Sequence, residues 1–97
     1  MKSFTSAEIA TLEQNYKDMC DAHNEITFDD VTQPILDELI ELMQIVCGEA
    51  YAVQGMNMPR LPHIALSDLD ASTFYGMVAK LTESARDLLV VARTRRV

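Results

Sequence analysis

Apolar side chains recur along this chain at helical spacing in three runs. In the first, Ile9, Leu12, Tyr16, Met19, His23 and Ile26 follow one another at alternating intervals of three and four residues, the narrow seam of a coiled-coil-like contact. Glu8, Glu13, Asp18 and Asp21 fall off that seam, so the pattern predicts a helix over 6–24 with one buried side. The second run, Val31, Ile35, Leu36, Leu39, Ile40, Leu42, Met43, Val46, Cys47, Ala50, Tyr51 and Val53, predicts a helix over 32–54 and covers far more than one stripe. A helix that apolar needs neighbours on two sides, and it is expected to be the most buried of the three. The third, over 68–94, carries its stripe on Leu69, Phe74, Met77, Val78, Leu81, Ala85, Leu88, Leu89 and Ala92.

Each run opens on a start signature. Thr5-Ser6-Ala7-Glu8, Thr27-Phe28-Asp29-Asp30 and Ser67-Asp68-Leu69-Asp70 set a hydroxyl before the exposed amides of a first turn and a carboxylate three residues later. The two can then bond reciprocally, while apolar neighbours on either side fix the entry angle. Pro34 lacks an amide proton and crowds the carbonyl of residue 30, so Thr32 is the expected cap of the main second helix, preceded by a short turn from Phe28. Gly55 is the expected stop. Residues 55–66 form the linker, where Pro59 and Pro62 favour extended backbone. That linker is unusually apolar: Met56, Met58, Leu61, Ile64 and Leu66 want cover. The expected fold is all-α, a single-domain three-helix bundle over 1–97. Homodimerisation through helices two and three is the expected cover for its surplus apolar surface.

Composition sharpens this. Of 97 residues 48% are hydrophobic but only six are aromatic, three Phe and three Tyr. The core must be aliphatic, which suits helix-on-helix packing. No stretch reaches the ~20 apolar residues of a membrane span, and the first five residues lack the apolar centre of a signal peptide. Two cysteines are few for a disulfide-stapled secreted domain. The expectation is a cytoplasmic protein without membrane contact.

Charge is lopsided. Residues 1–54 hold eleven acids against Lys2 and Lys17, a net of −9, whereas 55–97 hold four acids against six bases, a net of +2. Such a field repels nucleic acid and favours basic partners.

Candidate chemistry is thin. Cys20 and His23 share one side of a helix, and Cys47 with His63 could complete a zinc tetrahedron. No CxxC or HxxxH spacing supports it, so the cysteines are read as small hydrophobes in the core. Asp37, Glu38 and Glu41 lie on neighbouring turns, but no Glu has His three residues on, as a di-metal carboxylate bundle requires. They are read as a solvated acidic face. No nucleophile has a recognisable setting and no phosphate-binding loop occurs. Neither metal, cofactor nor enzymatic activity is expected. Arg86, Arg93, Arg95 and Arg96 suit the negative end of a helix first, and pairing with acidic helices of the same or a second subunit next.

The functional expectation is a non-enzymatic protein–protein interaction module: a small acidic adaptor, chaperone or regulatory inhibitor. Its protein partner would meet Met56, Met58, Leu61 and Ile64 of the linker and the acidic face Asp29, Asp30, Asp37, Glu38 and Glu41. The competing expectation, raised by the −9 balance, is a nucleic-acid-mimicking inhibitor of a DNA- or RNA-binding protein, of the kind phages encode.

Overall fold

The first start signature folds as read. Thr5 caps α1 (Ser6–Glu25), its hydroxyl accepting from the Glu8 amide at 3.2 Å while the Glu8 carboxylate accepts from the Thr5 amide at 3.2 Å. These contacts come from a computed structural model, which describes residues 3–97. The other two signatures sit in 3-10 turns. Thr27 precedes the turn Phe28–Asp30 without a side-chain capping bond, and α2 (Gln33–Ala52) begins after Thr32 with Pro34 in its first turn. Ser67 lies inside the turn Leu66–Asp68, and α3 (Ala71–Thr94) starts three residues later than the expected 68. There the Asp70 carboxylate accepts from the Thr73 amide at 2.7 Å. A charged acceptor at the positive end of a helix outcompetes a neutral hydroxyl, so Asp70 is the cap and not the far member of a box on Ser67.

The same bond sets a pH dependence. Hydrogen bonding to Thr73 holds Asp70 below its ordinary value of 3.8. A carboxylate depressed on folding stabilises fully above the unfolded value, and its contribution is lost as pH falls through the folded one. Asp70→Ala is expected to lower the melting temperature at neutral pH. The gap from the natural protein should close below about pH 3.8. Circular dichroism melts at stepped pH measure it, and a gap that persists in acid would assign the loss to something other than the ionised cap.

Gly55 ends the second helical stretch. Its φ is +77°, the left-handed region that suits glycine. Gly55 donates to the Ala52 carbonyl at 3.0 Å and Met56 to the Tyr51 carbonyl at 2.9 Å, the paired bonds of a Schellman closure.

Three apolar clusters stack along the bundle. Phe4, Ile9, Ala50, Leu88, Leu89 and Ala92 fill one end, Met43, Cys47 and Leu81 the middle, and Val31, Leu36, Phe74 and Val78 the other end. Helix α1 runs from Ile9 at the first end, past Met19 in the middle, toward Ile26 at the far end. Both α2 and α3 run the opposite way, from Leu36 and Phe74 to Ala50 and Ala92. They are therefore parallel, and the chain between them must travel back along the bundle. A helix of 20 residues is about 30 Å long, a span that residues 55–66 cover at about 3.1 Å each in polyproline-like form.

That return segment is a strap packed on the bundle. Met58 and Leu61 join the middle cluster, and Ile64, Leu66 and Leu69 the far one. Two glutamines of α2 hold its backbone, which has no ladder of its own. Leu61 donates to Gln44 Oε1 at 2.7 Å and Leu66 to Gln33 Oε1 at 2.7 Å, while Gln33 Nε2 donates to the Ile64 carbonyl at 2.9 Å.

The centre of the bundle is α3, not α2. Helix α3 packs against both others and buries eight residues, where α2 buries four. Its small residues Ser84, Ala85 and Ala92 let neighbours close in on two sides. By contrast α2 leaves Ile35, Leu42 and Ile45 at 40%, 45% and 57% exposure. The ends are tied shut. Phe4 donates to the Arg95 carbonyl at 2.9 Å, and Val97 donates to the Phe4 carbonyl at 2.9 Å. The Arg95 guanidinium caps the end of α2 through the Val53 carbonyl at 2.8 Å, and Arg93 pairs with Glu13 of α1 at 3.2 Å. These two arginines thus serve neighbouring helices of the same chain. No helix among the described residues is long and apolar enough to cross a membrane.

Candidate protein-interaction surface

The nine residues expected to meet a partner do not form one surface. Met58, Leu61 and Ile64 are half-buried in the bundle's own clusters, because the strap runs back over the core. Met56, at 48% exposure, is the one of the four linker residues left facing solvent. Asp29 and Asp30 sit exposed in the turn before α2, at the far end. Asp37 faces the strap, accepting from Gln33 Nε2 at 2.9 Å and lying 3.6 Å from His63 Nε2. Glu41 lines an open groove of about 800 Å³ between α2 and the strap, across from Arg60. Glu38 is exposed, and its register places it on the outer side of α2.

What the expectation missed is the apolar part of that outer side. Leu36, Ile40, Met43, Cys47 and Ala50 follow a four-three rhythm, and four of them (all but the half-buried Ile40) are buried. Ile35, Glu38, Leu42, Ile45 and Glu49 follow a three-four rhythm of their own, and all five are exposed. Two seams of coiled-coil spacing therefore lie on one helix, one turned inward and one outward. The breadth of the apolar run in α2 was the available signal: it is two stripes, not one wide one. The outer seam mixes three aliphatic side chains with two carboxylates, and Glu41 flanks it. It lies on a rigid element whose inner side is core, so its side chains are held in fixed register.

The cysteine and histidine set stays apart. Cys47 is buried and its thiol donates to Ser84 Oγ at 3.3 Å. Cys20 is half-buried on α1 one turn from Tyr16, and the hydrogen bond between them raises the Tyr16 phenol above its ordinary value of 10.0. His63 lies on the strap against Asp37. Among the described residues no group of three or more His, Cys, Asp or Glu is placed to hold a metal ion. Every buried side-chain nitrogen and oxygen among them has a hydrogen-bond partner, so the core presents no unsatisfied polar group awaiting a ligand.

Comparison with protein-family models, with curated proteins and with solved structures found no match.

Proposed function

We propose that this protein is a non-enzymatic interaction module, an acidic helical adaptor or regulatory inhibitor, that holds a protein partner on the outer side of α2. One observation carries the reading: Ile35, Leu42 and Ile45 stay 40–57% exposed along one register of a helix whose opposite side is fully employed in the core. Scattered exposed aliphatics need no explanation, but a row of them at interface spacing does. None of the three belongs to the apolar clusters of the core, which α1, α3 and the strap cover. A helix held rigid by its own core presents such a row without further ordering cost, which favours affinity.

The test uses the partner recovered from native lysate and identified, followed by affinity measurements on the purified pair. Leu42→Asp and Ile45→Asp should each leave the unfolding free energy within about ±0.5 kcal/mol, as exposed sites do. Each should weaken partner binding by about 30-fold or more, the effect of losing an interface hot spot. Should the partner bind both variants like the natural protein, the outer side of α2 is not the interface. Binding that ignores both variants yet collapses at moderately raised salt would support the nucleic-acid-mimicking reading instead.

A further inference from the structure

Resting on that reading of α2 as the binding face, we infer that its occupant is a basic amphipathic helix docked in coiled-coil register. The outer seam Ile35, Glu38, Leu42, Ile45, Glu49 spans two heptads, about 21 Å of helix at about 1.5 Å per residue. It repeats the spacing by which α1 presents Ile9, Leu12, Tyr16 and Met19 to its own neighbours. A second helix laid along it finds aliphatic positions at 35, 42 and 45 and carboxylates at 38 and 49.

The carboxylates decide between occupants. A second copy in parallel would press Glu38 on Glu38 and Glu49 on Glu49. In antiparallel registers each carboxylate would meet either an aliphatic side chain or another carboxylate. Each arrangement desolvates charge without a counter-charge, which is costly. A partner with Lys or Arg at the facing positions removes that cost. The methylene stems of those residues lie against Leu42 and Ile45 while their charged heads reach Glu38 and Glu49. Glu41, at the flanking position where coiled coils set partner choice, adds to the same preference. The part of the chain that carries the face agrees in sign, with a net of −9 over residues 1–54, while Arg60 and His63 of the strap line the groove beside Ile45 and Glu41.

Three synthetic peptides test this against the purified full chain. The first is a three-heptad helix with Leu on its seam and Lys facing Glu38, Glu49 and the flanks. The second replaces every Lys by Glu, and the third places proline at its centre. Titration calorimetry should show the Lys peptide binding at least about tenfold tighter than the Glu peptide, a difference of about 1.4 kcal/mol. The proline peptide should not bind. Circular dichroism should show helix gained in the complex. The double variant Glu38→Lys with Glu49→Lys should reverse the preference. If that variant misfolds, the comparison of the first two peptides on the natural protein stands by itself. Equal binding of Lys and Glu peptides, no binding of either, or a dimer of the natural protein that Ile45→Asp dissolves would each overturn the inference. A native partner that still needs Leu42 and Ile45 while the Lys peptide fails would retain the interaction surface and discard the basic helix.

Discussion

Replacing Phe74 by alanine is expected to remove about 3–5 kcal/mol of stability, the cost of deleting a fully buried aromatic ring together with the cavity it leaves. Phe74 is 0% exposed and packs among Val31, Leu36 and Val78. Its ring centroid lies 5.4 Å from that of Phe28 and 5.6 Å from that of Tyr75. Tyr75 in turn accepts, through its hydroxyl, the Phe28 amide at 2.9 Å, tying the turn before α2 to the start of α3. The end of the strap reaches the same cluster through Ile64, Leu66 and Leu69. Both connections between the helices therefore converge on one ring. In a domain whose total stability is about 5–15 kcal/mol, its loss leaves the protein marginal. Urea denaturation followed by far-ultraviolet circular dichroism measures it, and Phe74→Leu, which refills much of the volume, should lose less than half as much. A loss under about 1 kcal/mol for the alanine variant would mean that this cluster is not the packed core described.

Where two independent signals coincided, the fold was legible in the sequence. For α1 the cap and the apolar seam agree, and the helix runs from Ser6 to Glu25 against an expected 6–24. For α3 two acceptors stood three residues apart, and spacing alone does not rank Ser67 against Asp70; the strength of an ionised acceptor does. The centre of the bundle was misplaced because the many large apolar residues of α2 outweighed the smaller ones of the α3 stripe. Ser84, Ala85 and Ala92 add little hydrophobicity, yet they allow α3 to be enclosed from both sides. The many large residues of α2 divide between an inner and an outer seam.

The candidate surface was half legible. Glu38 and Glu41 were visible as an acidic face, and both are exposed on α2. Their aliphatic neighbours Ile35 and Leu42 were credited to a buried helix and Ile45 was left out of its pattern, since nothing in a one-dimensional pattern says which of two seams turns inward. The linker misled for a topological reason. Pro59 and Pro62 do indicate extended backbone, but not the direction in which it travels. Once α2 and α3 are parallel, residues 55–66 must retrace the bundle, and Met58, Leu61 and Ile64 obtain their cover from its own core.

Leu61→Asp puts that revised role of the strap to the test, with an expected loss of about 2–4 kcal/mol from forcing a carboxylate into an apolar cluster. Leu61 packs with Met43, Cys47 and Leu81, and its amide is held by Gln44 at 2.7 Å. The strap joins the helices by few bonds, so the charge should lift it locally before the three helices separate. Cys47 reports such lifting, because it is 3% exposed beneath the same cluster. In a Cys20→Ser background, thiol labelling of Cys47 should accelerate sharply with Leu61→Asp, while far-ultraviolet circular dichroism at low temperature stays helical. Met56→Asp is the control. Its side chain is 48% exposed before the strap meets the core, so stability should stay within about ±0.5 kcal/mol and labelling should stay slow. A linker that existed to meet a partner would give the opposite result. Leu61→Asp would then leave both the denaturation midpoint and the labelling rate unchanged, and the strap's apolar residues would return to the binding surface.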